Sequence, residues 1–243
     1  MRIPRIFTGQ ALQADTSFDL EPGPSQHLAR SLRMQEGDAL VLFDGRGGEY
    51  PATISHLGKK QVGVTTGKHN PREAESPLAV HLGVAVSRGD RMDWVVQKAT
   101  ELGVSAITPL FTERTEVKLK GERADKKRSH WEQVAISACE QCGRNRVPRI
   151  EALTPLESWL DQCTGEVRFV LHHRALNNEE LPTAPSTATV LVGPEGGLSE
   201  DEISQAETAG FQSLKLGPRV LRTETAPLAA LTHLQSRWGD MAP

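Results

Sequence analysis

The sequence predicts an α/β protein in two parts, a small N-terminal β-barrel and a larger domain with a mainly parallel sheet. Three observations carry this reading. The first third holds short apolar runs separated by close turns. Residues 67–77 are polar and contain two prolines, as a linker would. Beyond them apolar runs alternate with helical patterns, which implies parallel strands covered on both faces. The division places residues 1–72 in the first domain and 73–243 in the second.

In the first part, Ala39-Leu40-Val41-Leu42-Phe43 reads as a strand. Asp44-Gly45-Arg46-Gly47-Gly48 reads as a turn, because glycine reaches positive φ without strain. Glu49 to Leu57 resumes extended, Gly58-Lys59-Lys60 turns, and Gln61 to Thr65 closes the set. One helical patch, Ser25 to Met34, can turn Leu28, Leu32 and Met34 inward while Arg30 and Arg33 stay wet.

In the second part, Val80 to Val86 is a buried-strand run. Arg91 to Leu102 is a helix with Met92, Val95, Val96, Ala99 and Leu102 on one face. Val104 to Leu110 is extended, and Ser129 to Cys142 is a helix presenting Trp131, Val134, Ala135 and Ala138. Thr112 to Arg128, with charges of alternating sign, reads as a mobile segment. Val167–Leu171, Thr189–Val192 and Leu214–Leu216 complete the strands. Ser199 and Glu202 form a capping box, and Thr225 can cap a helix with Pro227 in its first turn.

Net charge is −3 but unevenly spread: +2 over residues 1–72, +4 over 85–149 and −7 over 150–243. That permits a polyanion partner on one face. Three cysteines argue against a disulfide framework and fit a reducing cytoplasm. No apolar run has the length of a membrane span, and the opening residues lack a signal-peptide core.

Two glycine-bearing segments carry the chemistry: Leu191 to Ser199, and Leu214 to Ala226. Each runs from a strand end to a helix start, where ligands of open α/β sheets bind. Gly193, Gly196, Gly197 and Gly217 let backbone approach a flat ligand closely. Neither segment is a phosphate loop, and Glu195 would repel phosphate. A neutral or cationic ligand with an adenine and ribose fits better. The competing reading is that the glycines make turns and nothing more.

Gly193-Pro194-Glu195-Gly196-Gly197, with Leu216-Gly217-Pro218-Arg219-Val220-Leu221-Arg222-Thr223-Glu224-Thr225-Ala226, resembles the signature of the RsmE family of bacterial 16S rRNA uridine-N3 methyltransferases, within the SPOUT superfamily. The likeness extends to Arg2 through Phe7, His27-Leu28 through Leu32-Arg33, Gly37-Asp38 and Phe43-Asp44-Gly45. It includes Lys98 through Val104 and Glu140 through Arg144. The resemblance implies a PUA-like RNA-binding barrel before a trefoil-knotted SPOUT domain, an exception to unknotted connections. It implies S-adenosylmethionine as cofactor, 16S rRNA of the small ribosomal subunit as partner, a homodimer, and no metal. Carried over by position, the donor site includes Leu171, His172, Gly193, Pro194, Glu195, Gly196, Gly197, Leu216 and Gly217. It continues through Val220, Leu221, Arg222, Glu224, Thr225 and Ala226.

N3 of neutral uracil must lose its proton before or during attack on the methyl group. A carboxylate can take the proton, or an arginine can stabilise charge on the uracil carbonyls. The carboxylate candidates are Glu195, Glu224 and Glu140; the arginine candidates are Arg222, Arg144 and Arg114. Glu195 and Glu224 could equally serve only their own loops as acceptors. RNA docking is expected from Arg2, Arg5, Arg30 and Arg33 in the barrel, and from Arg114, Lys118, Lys120, Arg123, Lys126, Lys127, Arg128, Arg144 and Arg146 in the second domain. Two other readings remain open: a SPOUT methyltransferase for another RNA site, and an rRNA-binding assembly factor without catalysis. Cys139-x-x-Cys142 and His172-His173 have tempting spacings, but packing explains the first, and adjacent strand residues point to opposite faces. Trp94, Trp131, Trp159 and Trp238 read as core or dimer interface.

Overall fold

The computed structural model describes residues 3–59, 61–117, 119–172 and 184–241. The chain divides into two compact units. The first is Met1–Glu75 together with Cys139–Val147; the second is Ser76–Ala138 and Pro148–Pro243. Residues 139–147, downstream of the linker in sequence, therefore belong with the N-terminal unit.

The first unit runs β1 (Arg5–Phe7), β2 (Ser17–Asp19), α1 (Pro22–Gln26), β3 (Ala39–Phe43), β4 (Tyr50–Leu57) and β5 (Val62–Thr66). Its five-stranded sheet has the order β1-β3-β4-β5-β2. The first pair is parallel and the others antiparallel. Alternate residues of β4, Ala52 and Ile54, face a core of Ile6, Leu20, Leu28, Leu40, Leu42 and Val64. A register shift at Ile54/His56 bends β4 against β5. The three-residue strands β1 and β2 are too short to show periodicity in the sequence.

The helical patch differs from its expectation. After α1 the chain makes a π-helical turn, His27–Ser31, in which the Leu32 N–H reaches back to the His27 carbonyl at 3.0 Å. The wider turn shifts the phase of the following side chains. Leu28 and Met34 are buried as expected, but Leu32 swings out to 41% exposure.

The second unit runs β6 (Ala79–Ala85), α2 (Arg91–Glu101), β7 (Val104–Phe111), α3 (Glu122–Cys142), β8 (Arg149–Ile150), β9 (Thr154–Pro155), α4 (Leu156–Leu160), β10 (Val167–Leu171), β11 (Thr187–Val192), α5 (Glu200–Thr208), β12 (Gln212–Leu214) and α6 (Ala226–Trp238). The sheet order is β12-β10-β11-β6-β7-β8, with β9 also on β7, and every pairing is parallel. Helices cover both faces. Val170 packs with Leu156, Trp159 and Ala206 of α4 and α5. Its neighbour Phe169, on the opposite face by strand alternation, stacks on Trp238 of α6 at 6.3 Å.

Two elements depart from their expected bounds. Helix α3 begins at Glu122, not Ser129, so the segment expected to be mobile is helical over its last part. The reason is electrostatic and not apolar: Glu122 and Asp125 suit the positive end of a helix, and Lys126 pairs with Glu122 at 2.8 Å. Strand β12 ends at Leu214, so Lys215 and Leu216 already belong to the loop. Of the tryptophans, Trp131 and Trp159 are buried, Trp238 is half-buried, and Trp94 is 51% exposed.

Candidate active site

Strands β12, β10, β11 and β6 lie side by side and parallel, so the loops leaving their C-terminal ends meet at one edge. A cavity of about 460 Å³ opens there, a size suited to a cofactor. It brings together Leu171, His172, Gly193, Pro194, Glu195, Gly196, Gly197, Leu216, Gly217, Val220, Leu221, Arg222, Glu224 and Ala226. Of the positions expected at the donor site, Thr225 alone is not in the lining. The lining also includes Arg91, Val192, Leu198, Leu214, Arg219 and Thr223.

The first glycine loop is a tight turn. The Gly197 N–H donates to the Pro194 carbonyl at 2.8 Å, and Gly197 sits at φ +69°. A Cβ on Gly193 would meet Leu198 Cγ and its backbone nitrogen at 2.9 Å, so only glycine fits without a shift. Arg114 braces the loop from outside, donating to the Gly196 carbonyl at 2.9 Å. The capping box is present: the Ser199 hydroxyl accepts the Glu202 N–H at 3.3 Å, and the Glu202 carboxylate accepts the Ser199 N–H at 2.9 Å. Glu202 also accepts the Glu113 N–H at 2.7 Å, which ties the loop after β7 to α5. In the second loop the Thr225 and Ala226 N–H groups both donate to the Arg222 carbonyl at 2.9 Å. The Thr225 side chain makes no cap bond, contrary to expectation, because its backbone is already helical.

The charged groups at the cavity are organised by Arg91, the first residue of α2, to which the sequence alone assigns no role. Its Nη1 donates to Glu195 Oε1 at 2.8 Å, and its Nε lies 3.9 Å from Glu224 Oε2. The Arg88 N–H adds a 3.3 Å bond to Glu195. Burial pushes the Glu195 carboxyl up, but its own N–H, the Arg88 N–H and Arg91 outweigh this and hold it below the ordinary value. One signal for Arg91 was available: a cation in the first turn of a helix opposes the macrodipole and calls for a nearby anion. Arg222 lies exposed at the rim, with its guanidinium in no ion pair among the described residues.

The remaining candidates lie elsewhere. Arg144 is 4% exposed in the first unit, where it ion-pairs with Glu75. Arg5 in the same unit pairs with Glu49 and donates to Asn145 Oδ1 at 2.6 Å. Glu140 accepts the Phe7 N–H at 3.0 Å, and burial pushes its carboxyl up. Arg30, Arg33, Lys120 and Arg146 are exposed, Arg146 lying 3.9 Å from Glu73. Arg2, Lys118 and His173 lie outside the described residues. Cys139 is buried on α3, and burial pushes its thiol up to about 12, which suits a packing role.

Comparison with known proteins agrees with this geometry. Residues 74–235 match the family described as RNA methyltransferase domain, and residues 25–66 match RNA methyltransferase PUA domain. Fold and site together thus define an RNA methyltransferase domain behind a PUA domain. The chain is 36% identical over 243 residues to ribosomal RNA small subunit methyltransferase E of Buchnera aphidicola subsp. Schizaphis graminum, covering 99% of each chain. It is 30% identical over 238 residues to the Bacillus subtilis protein of the same name, covering 93% of each. The chain belongs to the ribosomal RNA small subunit methyltransferase E family, RsmE.

Among solved structures, a methyltransferase from Legionella pneumophila, in complex with the bound cofactor SAM, superposes with a TM-score of 0.95. It is 41% identical, with 99% of this chain and 100% of that one covered. Ribosomal RNA small subunit methyltransferase E from Neisseria gonorrhoeae, bound to S-adenosyl methionine, gives 0.92 at 37% identity, with 99% and 100% covered.

Proposed function

We propose that this chain transfers a methyl group from S-adenosylmethionine to N3 of one uridine of 16S rRNA in the small ribosomal subunit. The observation that carries the reading is the single cavity built by both glycine loops at adjoining parallel strand ends, with carboxylates and arginines at its wall. Full-length structural relatives that hold this cofactor support it. When bound, the donor supplies an electrophilic methyl group on a sulfonium. The apolar side chains of Leu171, Leu214, Leu216, Val220 and Leu221 would pack a nucleoside, and the glycine backbone would read its polar edge. The carboxylates of Glu195 and Glu224 suit a cationic donor.

Arg222, exposed at the rim, is assigned to charge on one of the uracil carbonyls. Glu195, held as an anion by Arg91 and two N–H groups, fixes the loop and is a weak proton acceptor. Glu224 is the better candidate for that proton. Arg144 enters as the ion-paired anchor of residues 139–147. The exposed cations Arg30, Arg33, Lys120 and Arg146 are assigned to RNA phosphates. The homodimer, the knotted path and the cytoplasmic setting implied by the resemblance complete the reading. Among the described residues no helix is long and apolar enough to cross a membrane.

The test is methylation in vitro of small-subunit particles and of free RNA, with mass mapping of the product nucleotide. A methyl group on uracil N3 is expected. Methylation of a ribose, or of tRNA alone, overturns the assignment.

A further inference from the structure

A second, more open recess adjoins the donor cavity. Arg88, Gly89, Asp90, Arg91, Trp94 and Glu224 line it. Arg91 and Glu224 line the donor cavity as well, so the two spaces adjoin at these side chains. Trp94 stands on α2 one turn beyond Arg91 and is 51% exposed. It is the one aromatic among the large exposed apolar residues described. Lys98 Nζ lies 5.2 Å from its ring centroid and is itself held by Glu101 at 2.8 Å. An indole fixed this way offers a flat apolar platform to the recess.

We propose that this recess takes the acceptor base: an unpaired uracil of the RNA stacks on Trp94, with Arg91 toward a ring carbonyl and Glu224 toward N3–H. The proposal rests on the methyl-transfer reading above. Its chemistry is that of a planar imide, which needs a π-face, a cation for its carbonyl oxygens and an acceptor for its N–H. All three stand in one recess. Among the described residues, Arg91 bonds Glu195 through Nη1 and approaches Glu224 with Nε, which leaves Nη2 for the base. Glu224 has Arg91 Nε at 3.9 Å and the Thr223 hydroxyl at 3.5 Å as its nearest polar partners. In the reaction N3 bonds to the methyl carbon as the carbon–sulfur bond breaks. The pair from that bond stays on sulfur, giving the neutral thioether. The N3–H pair stays with the ring, and the proton passes to the Glu224 carboxylate and then to water. A second copy of the chain is the other candidate occupant, but Asp90 and Glu224 line the recess, and acidic side chains are depleted at protein interfaces.

The test uses the full chain with Trp94→Ala and Trp94→Phe. kcat and KM are measured on small-subunit particles, donor affinity by calorimetry, and mass by light scattering. Trp94→Ala is expected to lower kcat/KM about tenfold or more, the range of base stacking on an aromatic. Donor affinity and mass are expected to match the wild type. Trp94→Phe, which keeps a flat ring, is expected to stay within about threefold. A wild-type kcat/KM for Trp94→Ala overturns the proposal. So does a change of mass in that variant, which would place Trp94 against another copy, or an equal loss in Trp94→Phe. If the wild-type chain neither binds donor nor methylates N3, the methyl-transfer reading itself fails. If the wild type methylates N3 and Trp94→Ala does so equally, the acceptor site alone fails.

Discussion

Arg91 joins two loops that each lie over a hundred residues further along the chain, through one strong bond to Glu195 and a looser approach to Glu224. Because the Glu195 carboxyl lies below its ordinary value in the folded chain, its contribution to stability is present above the ordinary carboxylate range. It is lost as pH falls through the lowered value. Glu195→Gln is therefore expected to melt below the wild type at neutral pH, and the gap should narrow as pH drops below about 4.5. Calorimetric melts across that range check this; a gap independent of pH refutes it. Gly193 makes a steric prediction. Its added Cβ would press on the Leu198 backbone at 2.9 Å, so Gly193→Ala must displace the loop. Donor affinity, read by titration calorimetry, is expected to fall roughly tenfold, about 1.4 kcal/mol. Gly193 was legible in the sequence as a site glycine. Arg91 was not, because an arginine at a helix start reads as solvated until its two carboxylates are brought to it.

Helix α5 is held at its start by a reciprocal cap that also restrains the loop after β7. Ser199→Ala is expected to cost about 1 kcal/mol. Glu202→Ala should cost more, about 2–3 kcal/mol, because the Ser199 and Glu113 N–H groups both lose a charged acceptor. Urea denaturation ranks the two, and the reverse order would remove the Glu113 tie from the account. This cap could be read from the sequence because all its parts lie within four residues. The start of α3 and the phase of Leu32 could not. The α3 start is polar and escapes an apolar periodicity. Leu32 is turned outward by a π-helical turn that a regular 3.6-residue period does not contain.

Residues 139–147 belong to the N-terminal unit, and polar contacts tie them to it, among them the ion pair of Arg144 with Glu75. Arg144→Met leaves a carboxylate partly buried and without this partner, and is expected to destabilise the chain by about 2–3 kcal/mol. The double variant Arg144→Met/Glu75→Leu should recover most of that loss and methylate at close to the wild-type rate. A stable but inactive double variant would return Arg144 to the chemistry. For RNA binding, Arg30→Ala/Arg33→Ala is expected to flatten the dependence of log affinity on log salt by about 1.5–2. An unchanged slope would remove these two cations from the phosphate contacts.

Strand runs, the polar linker and the paired glycine loops were legible in the sequence, because each is a local pattern of apolar period, turn chemistry or capping. So were most positions lining the cavity at the strand ends, since they sit in two short segments that adjoin there. Three matters depended on tertiary structure. Arg144 was expected beside the cavity, yet its guanidinium is buried against Glu75 in the other unit. Arg114 was expected on RNA, yet it donates to the Gly196 carbonyl. Trp94 was expected in core or dimer interface; within the chain it is 51% exposed and lines a recess with Arg91, which removes the core reading. For the two arginines the physical reason is the same. A long side chain with several donors takes the partner that folding places within its reach, and for Arg144 and Arg114 that partner lies dozens of residues away along the chain.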